Sequence, residues 1–162
     1  LWKDYQNLFP VEKGSQKFWS DYKQMYGNSL SKAEQGRLDE LEKVFYQEGS
    51  GDFSFHAMRA ILFIMMYRNL PIFHLPFDLL TTLIDIDELL SQWRYRHMLM
   101  TRRMIGMRVG TGGTSGAGYL EGALRQHHIF KELTEVTTFL IERSKLPDLP
   151  MAVKEKLSFN TK

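Results

Sequence analysis

The sequence predicts an all-α protein. Apolar residues recur at spacings of three and four in most segments, which is the helical period. No stretch reads as a clear run of alternating apolar and polar residues, the mark of a half-buried strand. A helix-start signal, Ser31-Lys32-Ala33-Glu34, stands just before one of the periodic runs.

In chain order, Ser15 to Tyr26 predicts a short amphipathic helix ending at Gly27. The Ser31–Glu34 box opens a second helix that runs to about Gln47 and stops at Gly49. Its apolar positions Leu38, Leu41, Val44 and Phe45 make one stripe on a charged rod. Ser54 to Asn69 predicts a third, ending before Pro71. Its centre, "ILFIMMY", is apolar almost all round and should be deeply buried. Pro76 then starts a long helix from Phe77 to Met104, on the order of 40 Å. The stretch Arg108 to Gly118 holds five glycines in eleven residues and cannot stay helical. Tyr119–Gln126 and Phe130–Glu142 are helical again, Pro147 and Pro150 break up the tail, and Val153–Leu157 closes it. The expected architecture is a helical bundle with one long central helix, followed by a Gly-rich loop.

Composition bounds the function. With 162 residues, 43% hydrophobic and 25% charged, the chain suits one globular domain or part of a larger one. A net charge of +2, without any dominant basic block, argues against nucleic acid or an anionic membrane as partner. The longest apolar run, Ala60 to Tyr67, falls far short of a bilayer span. The absence of cysteine excludes disulfides, zinc–thiolate sites, iron–sulfur clusters and thiolate-ligated haem within the chain. A reducing cytoplasm fits. The start, "LWKDYQNLFP", has neither an initiator Met nor a basic-then-apolar leader pattern, and reads as the middle of something longer.

Two features carry chemistry. On the long helix, Leu83, Ile86, Leu90, Trp93, His97, Met100 and Met104 share one face, which predicts that His97 lies on a buried stripe. Arg94, Arg96, Arg102 and Arg103 fall mainly to its sides. Such a histidine is either a core residue bonded through both ring nitrogens or an axial ligand to iron. The helix alone does not choose. The second feature is "GTGGTSG", Gly110 to Gly116, which either connects two helices or brings backbone amides and the hydroxyls of Thr111, Thr114 and Ser115 to a ligand. It is not a phosphate-binding loop, because it has no Gly-Lys-Ser/Thr ending and follows no strand.

The two features meet in a resemblance. Pro76 to Leu120 contains Pro-Phe-x-Leu-Leu, Asp85-Ile86-Asp87, Trp-Arg-Tyr-x-His, Arg-Met-Ile-Gly, and a threonine in the glycine loop fourteen residues after the histidine. This region resembles the signature of the tryptophan 2,3-dioxygenase family. "FSFHAMRAILFIMMYRNLPIF" and "HHIFKELTEVTTFLIER" are similar to its flanking helices. The resemblance is strong from Phe53 to Arg143 and weak before Ser31. It divides the chain into a poorly matched helical segment, 1–30, and a C-terminal helical part of a haem dioxygenase, 31–162.

The resemblance implies a helical, haem b-dependent homotetramer. That enzyme inserts dioxygen across the indole C2–C3 bond of L-tryptophan to give N-formyl-L-kynurenine, the first step of the kynurenine route. It implies that His97 is the proximal iron ligand and that Thr111 contacts the head group of bound tryptophan. No further catalytic residue is assigned in this chain. The family's distal histidine and carboxylate-clamping arginine belong to an N-terminal half, which is the expected partner. His56, His74, His127 and His128 do not match that distal position; they are expected to be structural or exposed, with His74 in a turn between two prolines. Alone, the chain is expected to bind haem weakly and to turn over little tryptophan. Thr114 stands where the family commonly has serine. Ala117 and Gly118 replace bulkier residues. Two other functions are compatible with the residues: a haem enzyme hydroxylating an aromatic amino acid or indole derivative, and a non-enzymatic helical domain with His97 in its core.

Overall fold

A computed structural model describes residues 12–47, 52–105, 129–149 and 151–157. Helix α1 spans Glu12–Ser29, α2 Arg37–Phe45, α3 Phe55–Met66, α4 Pro71–Ile105, α5 Lys131–Val136 and α6 Met151–Leu157. Short 3-10 turns cover Lys32–Glu34, Thr137–Phe139 and Arg143–Lys145. The described residues contain no strand, as the all-α reading expects. No single helix among them is long and apolar enough to cross a membrane. The chain groups into two units, Leu1–Leu80 with Glu132–Lys162, and Thr81–Lys131.

The first unit has an aromatic core. Phe18, Trp19, Tyr22 and Tyr26 line one face of α1 and are all buried. Their rings meet edge-on or stacked, and Phe18 continues the contact onto Phe63 of α3. Edge-to-face pairs of this kind add to simple area burial. Buried tyrosines need partners for their hydroxyls, and here backbone carbonyls provide them. Tyr22 donates to the carbonyl of Phe139, Tyr26 to that of Thr138 at 3.5 Å, Tyr46 to that of Trp19 at 2.5 Å, and Tyr67 to that of Pro147 at 2.6 Å. Burial raises the pKa of Tyr22 and Tyr67 above the phenol range and pushes Tyr46 up to about 12, so all three stay neutral donors.

Helix α3 begins where the sequence places it. Ser54 accepts from the amide of Ala57 at 3.2 Å and so caps one orphan N–H. Every residue from Ala60 to Tyr67 is buried, as the all-round apolar pattern predicts. The approach to α3 is held by Glu132, whose two carboxylate oxygens accept from the amides of Asp52 at 2.8 Å and Phe53 at 3.1 Å. Arg59 packs its guanidinium over the rings of Tyr46, Trp19 and Phe55 at 4.5, 5.2 and 5.3 Å.

Several boundaries differ from the sequence reading. Helix α1 runs through Gly27 to Ser29. Gly27 stays helical and packs against Leu38, whose methyl carbons lie 3.4 and 3.6 Å from where a Cβ would stand. The Ser31–Glu34 box forms, with the Glu34 carboxylate accepting from the Ser31 amide at 3.2 Å and hydroxyl at 2.7 Å. It opens a 3-10 turn, and α2 follows from Arg37. Helix α4 starts at Pro71 and encloses Pro76. Pro71 takes the first-turn position that suits a residue without an N–H. Pro76 removes only the bond to the carbonyl of Ile72, an exposed residue that water can reach. His74 therefore sits on a helix, exposed, and not in a turn. The helix expected over Phe130–Glu142 is α only to Val136; the carbonyls of Thr138 and Phe139 bond to Tyr26 and Tyr22 instead.

Candidate functional site

The candidate site is built on the second unit, around His97. Helix α4 has 35 residues and is about 52 Å long at 1.5 Å per residue. His97 lies eight residues from its C-terminal end. The expected line of residues exists, but it is not a buried stripe. His97 is exposed. So are Ile86 at 42%, Trp93 at 61%, Met100 at 52% and Met104 at 76%, while Leu83 and Leu90 are half-buried.

The cause is angular. The line that α4 buries in this unit runs through Asp87 and Met98, eleven residues or about three turns apart. His97 precedes Met98 by one position and is turned from that line by about 100°. Periodicity identifies residues that share a line, and it does not say which line is covered.

The local geometry of His97 separates its two readings. A core histidine would be enclosed and bonded through both ring nitrogens. Here the ring is exposed, and no hydrogen bond among the described residues reaches it. The imidazole stacks on Trp93 one turn earlier, with centroids 5.4 Å apart and planes 11° from parallel. The backbone carbonyl of His97 accepts from the Thr101 hydroxyl at 2.9 Å, a bond that leaves the ring alone. The result is a donor nitrogen on an apolar ridge, with Arg96 exposed beside it and Arg94 half-buried.

This donor set suits one kind of metal. Among the described residues no group of three or more His, Cys, Asp or Glu converges to hold a bare ion. An iron that arrives with four porphyrin nitrogens needs only one protein ligand, and flat apolar neighbours such as Trp93, Met100 and Met104 suit a porphyrin face. The residues fit haem. Thr111, the rest of the glycine loop, the helix expected over Tyr119–Gln126, His127 and His128 all lie outside the described residues. His56 is exposed, and its ring lies against that of Phe55, with centroids 3.8 Å apart and planes tilted by 32°.

The sequence reading met Asp87 only as part of a motif and gave it no role. Asp87 is 3% exposed. Its two carboxylate oxygens accept from the amides of Ile129 at 3.0 Å and Phe130 at 3.2 Å. The signal was present: positions 80, 84, 87, 91, 94 and 98 share a line, and Asp87 puts a carboxylate between Ile84 and Met98 on it.

The family model described as tryptophan 2,3-dioxygenase matches residues 12–140. The match begins at residue 12, within the segment before Ser31 where the resemblance is weak. The tryptophan 2,3-dioxygenase of Bdellovibrio bacteriovorus is 46% identical over 113 residues, 70% of this chain and 32% of its own length. That of Alteromonas mediterranea is 46% identical over 112 residues, covering 69% and 31% respectively. The enzyme of Dictyostelium discoideum is 40% identical over 124 residues, covering 74% and 31%. The chain thus spans about a third of the length of the curated relatives it matches. A histidine poised on an apolar ridge of the long helix and a family model covering most of the chain lead to one assignment: the chain belongs to the tryptophan 2,3-dioxygenase family.

Proposed function

We propose that this chain supplies the proximal haem ligand and the substrate loop of an enzyme that oxidises L-tryptophan with dioxygen to N-formyl-L-kynurenine, at the head of the kynurenine route. The observation that carries the reading is the exposed imidazole of His97 on an apolar ridge, without a hydrogen bond among the described residues, inside a region matched by the family model.

In this reading His97 holds the iron of haem b through one ring nitrogen. Trp93 fixes the plane of the imidazole by stacking on it. Trp93, Met100 and Met104 would offer the bound haem an apolar surface beside His97 and help exclude water there. When bound, the haem supplies the activation of dioxygen. Thr111 holds the ammonium or carboxylate of tryptophan through its hydroxyl, which sets the indole for attack. The chain's remaining polypeptide partner is the N-terminal half of the same enzyme, and the assembly is a cytoplasmic homotetramer.

The test uses the full-length haem-loaded protein, tryptophan and air. Dioxygenation adds both oxygens, about 32 mass units, whereas hydroxylation adds one, about 16. A product heavier by both oxygens is expected. A singly oxygenated product, or tryptophan left intact by a haem-replete sample, would overturn the reading.

A further inference from the structure

The first unit holds a cavity of about 200 Å³, lined by the end of α3 and by the chain segment 140–146. Much of the lining is apolar. Met65 and Met66 come from the last turn of α3, and Leu140 and Ile141 from the other segment. Arg68, Asn69 and Arg143 add polar groups.

These walls are tied together. The Tyr67 hydroxyl donates to the carbonyl of Pro147 at 2.6 Å and links the end of α3 to the second segment. The Leu146 amide donates to the carbonyl of Arg143 at 3.3 Å, which closes the 3-10 turn that carries Arg143. Arg68 lays its guanidinium 5.4 Å from the centroid of the Phe77 ring. Such a stack occupies the flat face of the group and leaves its N–H fork available.

The charges call for a partner. Two guanidinium groups line one small cavity, and like charges repel. Both arginines are exposed, and neither forms an ion pair with a carboxylate among the described residues. Glu142, the sequence neighbour of Arg143, pairs with Lys145 at 3.1 Å instead. The dipole of α3 favours a cation just past its C-terminal end, which accounts for Arg68. It does not account for Arg143, which comes from the other segment. Asn69 and Arg143 also line an adjoining cavity of about 250 Å³, where Lys154 adds a third cation and Asp148 a carboxylate.

We propose that the first cavity binds a small organic carboxylate, held by Arg68 and Arg143 with its apolar body against Met65, Met66, Leu140 and Ile141. A planar carboxylate matches the guanidinium fork, and charge-assisted pairs of that geometry are the strong ones. A volume of about 200 Å³ is room for roughly seven waters, so the ligand is of benzoate size. Inorganic phosphate would meet the charges and leave the apolar lining wet. The site uses neither His97 nor haem, and the inference does not rest on the function proposed above.

The experiment titrates benzoate into the full-length protein, isotopically labelled at its methionine methyl groups and followed by NMR. The Met65 and Met66 methyl signals should shift along a saturable curve with a Kd in the millimolar range, the reach of a ligand of about nine heavy atoms. Arg68→Gln and Arg143→Gln should each raise that Kd about tenfold, and Arg143→Lys, which keeps the charge without the fork, by less. Benzamide, of the same shape without the charge, should bind about tenfold more weakly than benzoate, and phosphate more weakly still. Thermal midpoints of the variants should match wild type, because both side chains are exposed. Equal affinity for benzoate and benzamide would overturn the proposal, since the cavity would then be only an apolar cleft. So would an unchanged Kd in both glutamine variants, phosphate binding tighter than benzoate, or Met65 and Met66 signals that stay still throughout the titration.

Discussion

Replacing His97 by alanine separates a ligand from a core residue by magnitude. In the 162-residue chain the ring is exposed and takes no hydrogen bond among the described residues, so its removal opens no cavity and strands no buried donor. Two small terms are left. Alanine is the better helix former, which stabilises α4 by roughly 0.5 kcal/mol. Loss of the stack on Trp93 costs about the same, since Trp93 is itself 61% exposed and the pair is largely solvated. The net change is within about 0.5 kcal/mol of zero. A core histidine would cost a few kcal/mol instead. With a urea slope of about 1.5 kcal/mol/M, the midpoint moves by less than about 0.4 M in the first case and by more than about 1 M in the second. The companion assay is a haem titration of the full-length protein, followed at the Soret band. His97→Ala should lose the stable band while the unfolding midpoint of the 162-residue chain stays put. A large midpoint shift, or haem affinity equal to wild type, would refute the argument.

Further predictions concern the loop and the frame around the site. Thr111→Ala in the full-length enzyme should weaken tryptophan binding more than haem binding, and an unchanged KM and kcat would argue against the head-group role. Gly27→Ala should stabilise the chain by about 0.5–1 kcal/mol in urea unfolding, because the added methyl meets Leu38 at ordinary contact distance inside a helix. Tyr67→Phe should cost about 1–2 kcal/mol, since it leaves the buried carbonyl of Pro147 without its donor. Stability should also fall in alkali. Tyr22, Tyr46 and Tyr67 have pKa values raised by burial, so the fold holds its full tyrosine contribution below the unfolded value of about 10. Above it the unfolded chain loses protons first, and stability declines as pH climbs toward the folded values. Circular dichroism and phenolate absorbance from pH 9 to 12 would show the two changes together; unfolding that begins well below pH 10 would contradict this assignment.

Much of the frame was legible because local chemistry decided it. Ser54 caps α3, Ser31 pairs with Glu34, and the apolar run of α3 is buried on all sides. What the sequence misplaced was decided at a distance. Gly27 reads as a stop, yet Leu38 packs over it and the helix continues. The helix after Val136 gives way because Tyr22 and Tyr26, more than a hundred residues earlier, take the carbonyls of Phe139 and Thr138. Pro76 reads as a beginning because its ring forbids one bond, but Pro71 already satisfies the rule for a first turn. At the site, spacing gathered Trp93, His97, Met100 and Met104 on one line, and only the packing of Asp87 and Met98 showed that another line is the buried one. The role of Thr111 came from the resemblance, because hydroxyls among glycines serve many ligands.

Methionines among the described residues differ sharply in access. Met58, Met65, Met66 and Met98 are enclosed, at 4–7% exposure, while Met100 and Met104 stand open on the ridge beside His97. Thioether oxidation follows access. Dilute peroxide should therefore convert Met100 and Met104 to sulfoxides well before the enclosed set, with the exposed Met151 as an internal standard on α6. The ridge thus carries its own footprinting probes: when haem or another stretch of polypeptide settles on it, those two side chains become protected and Met151 does not.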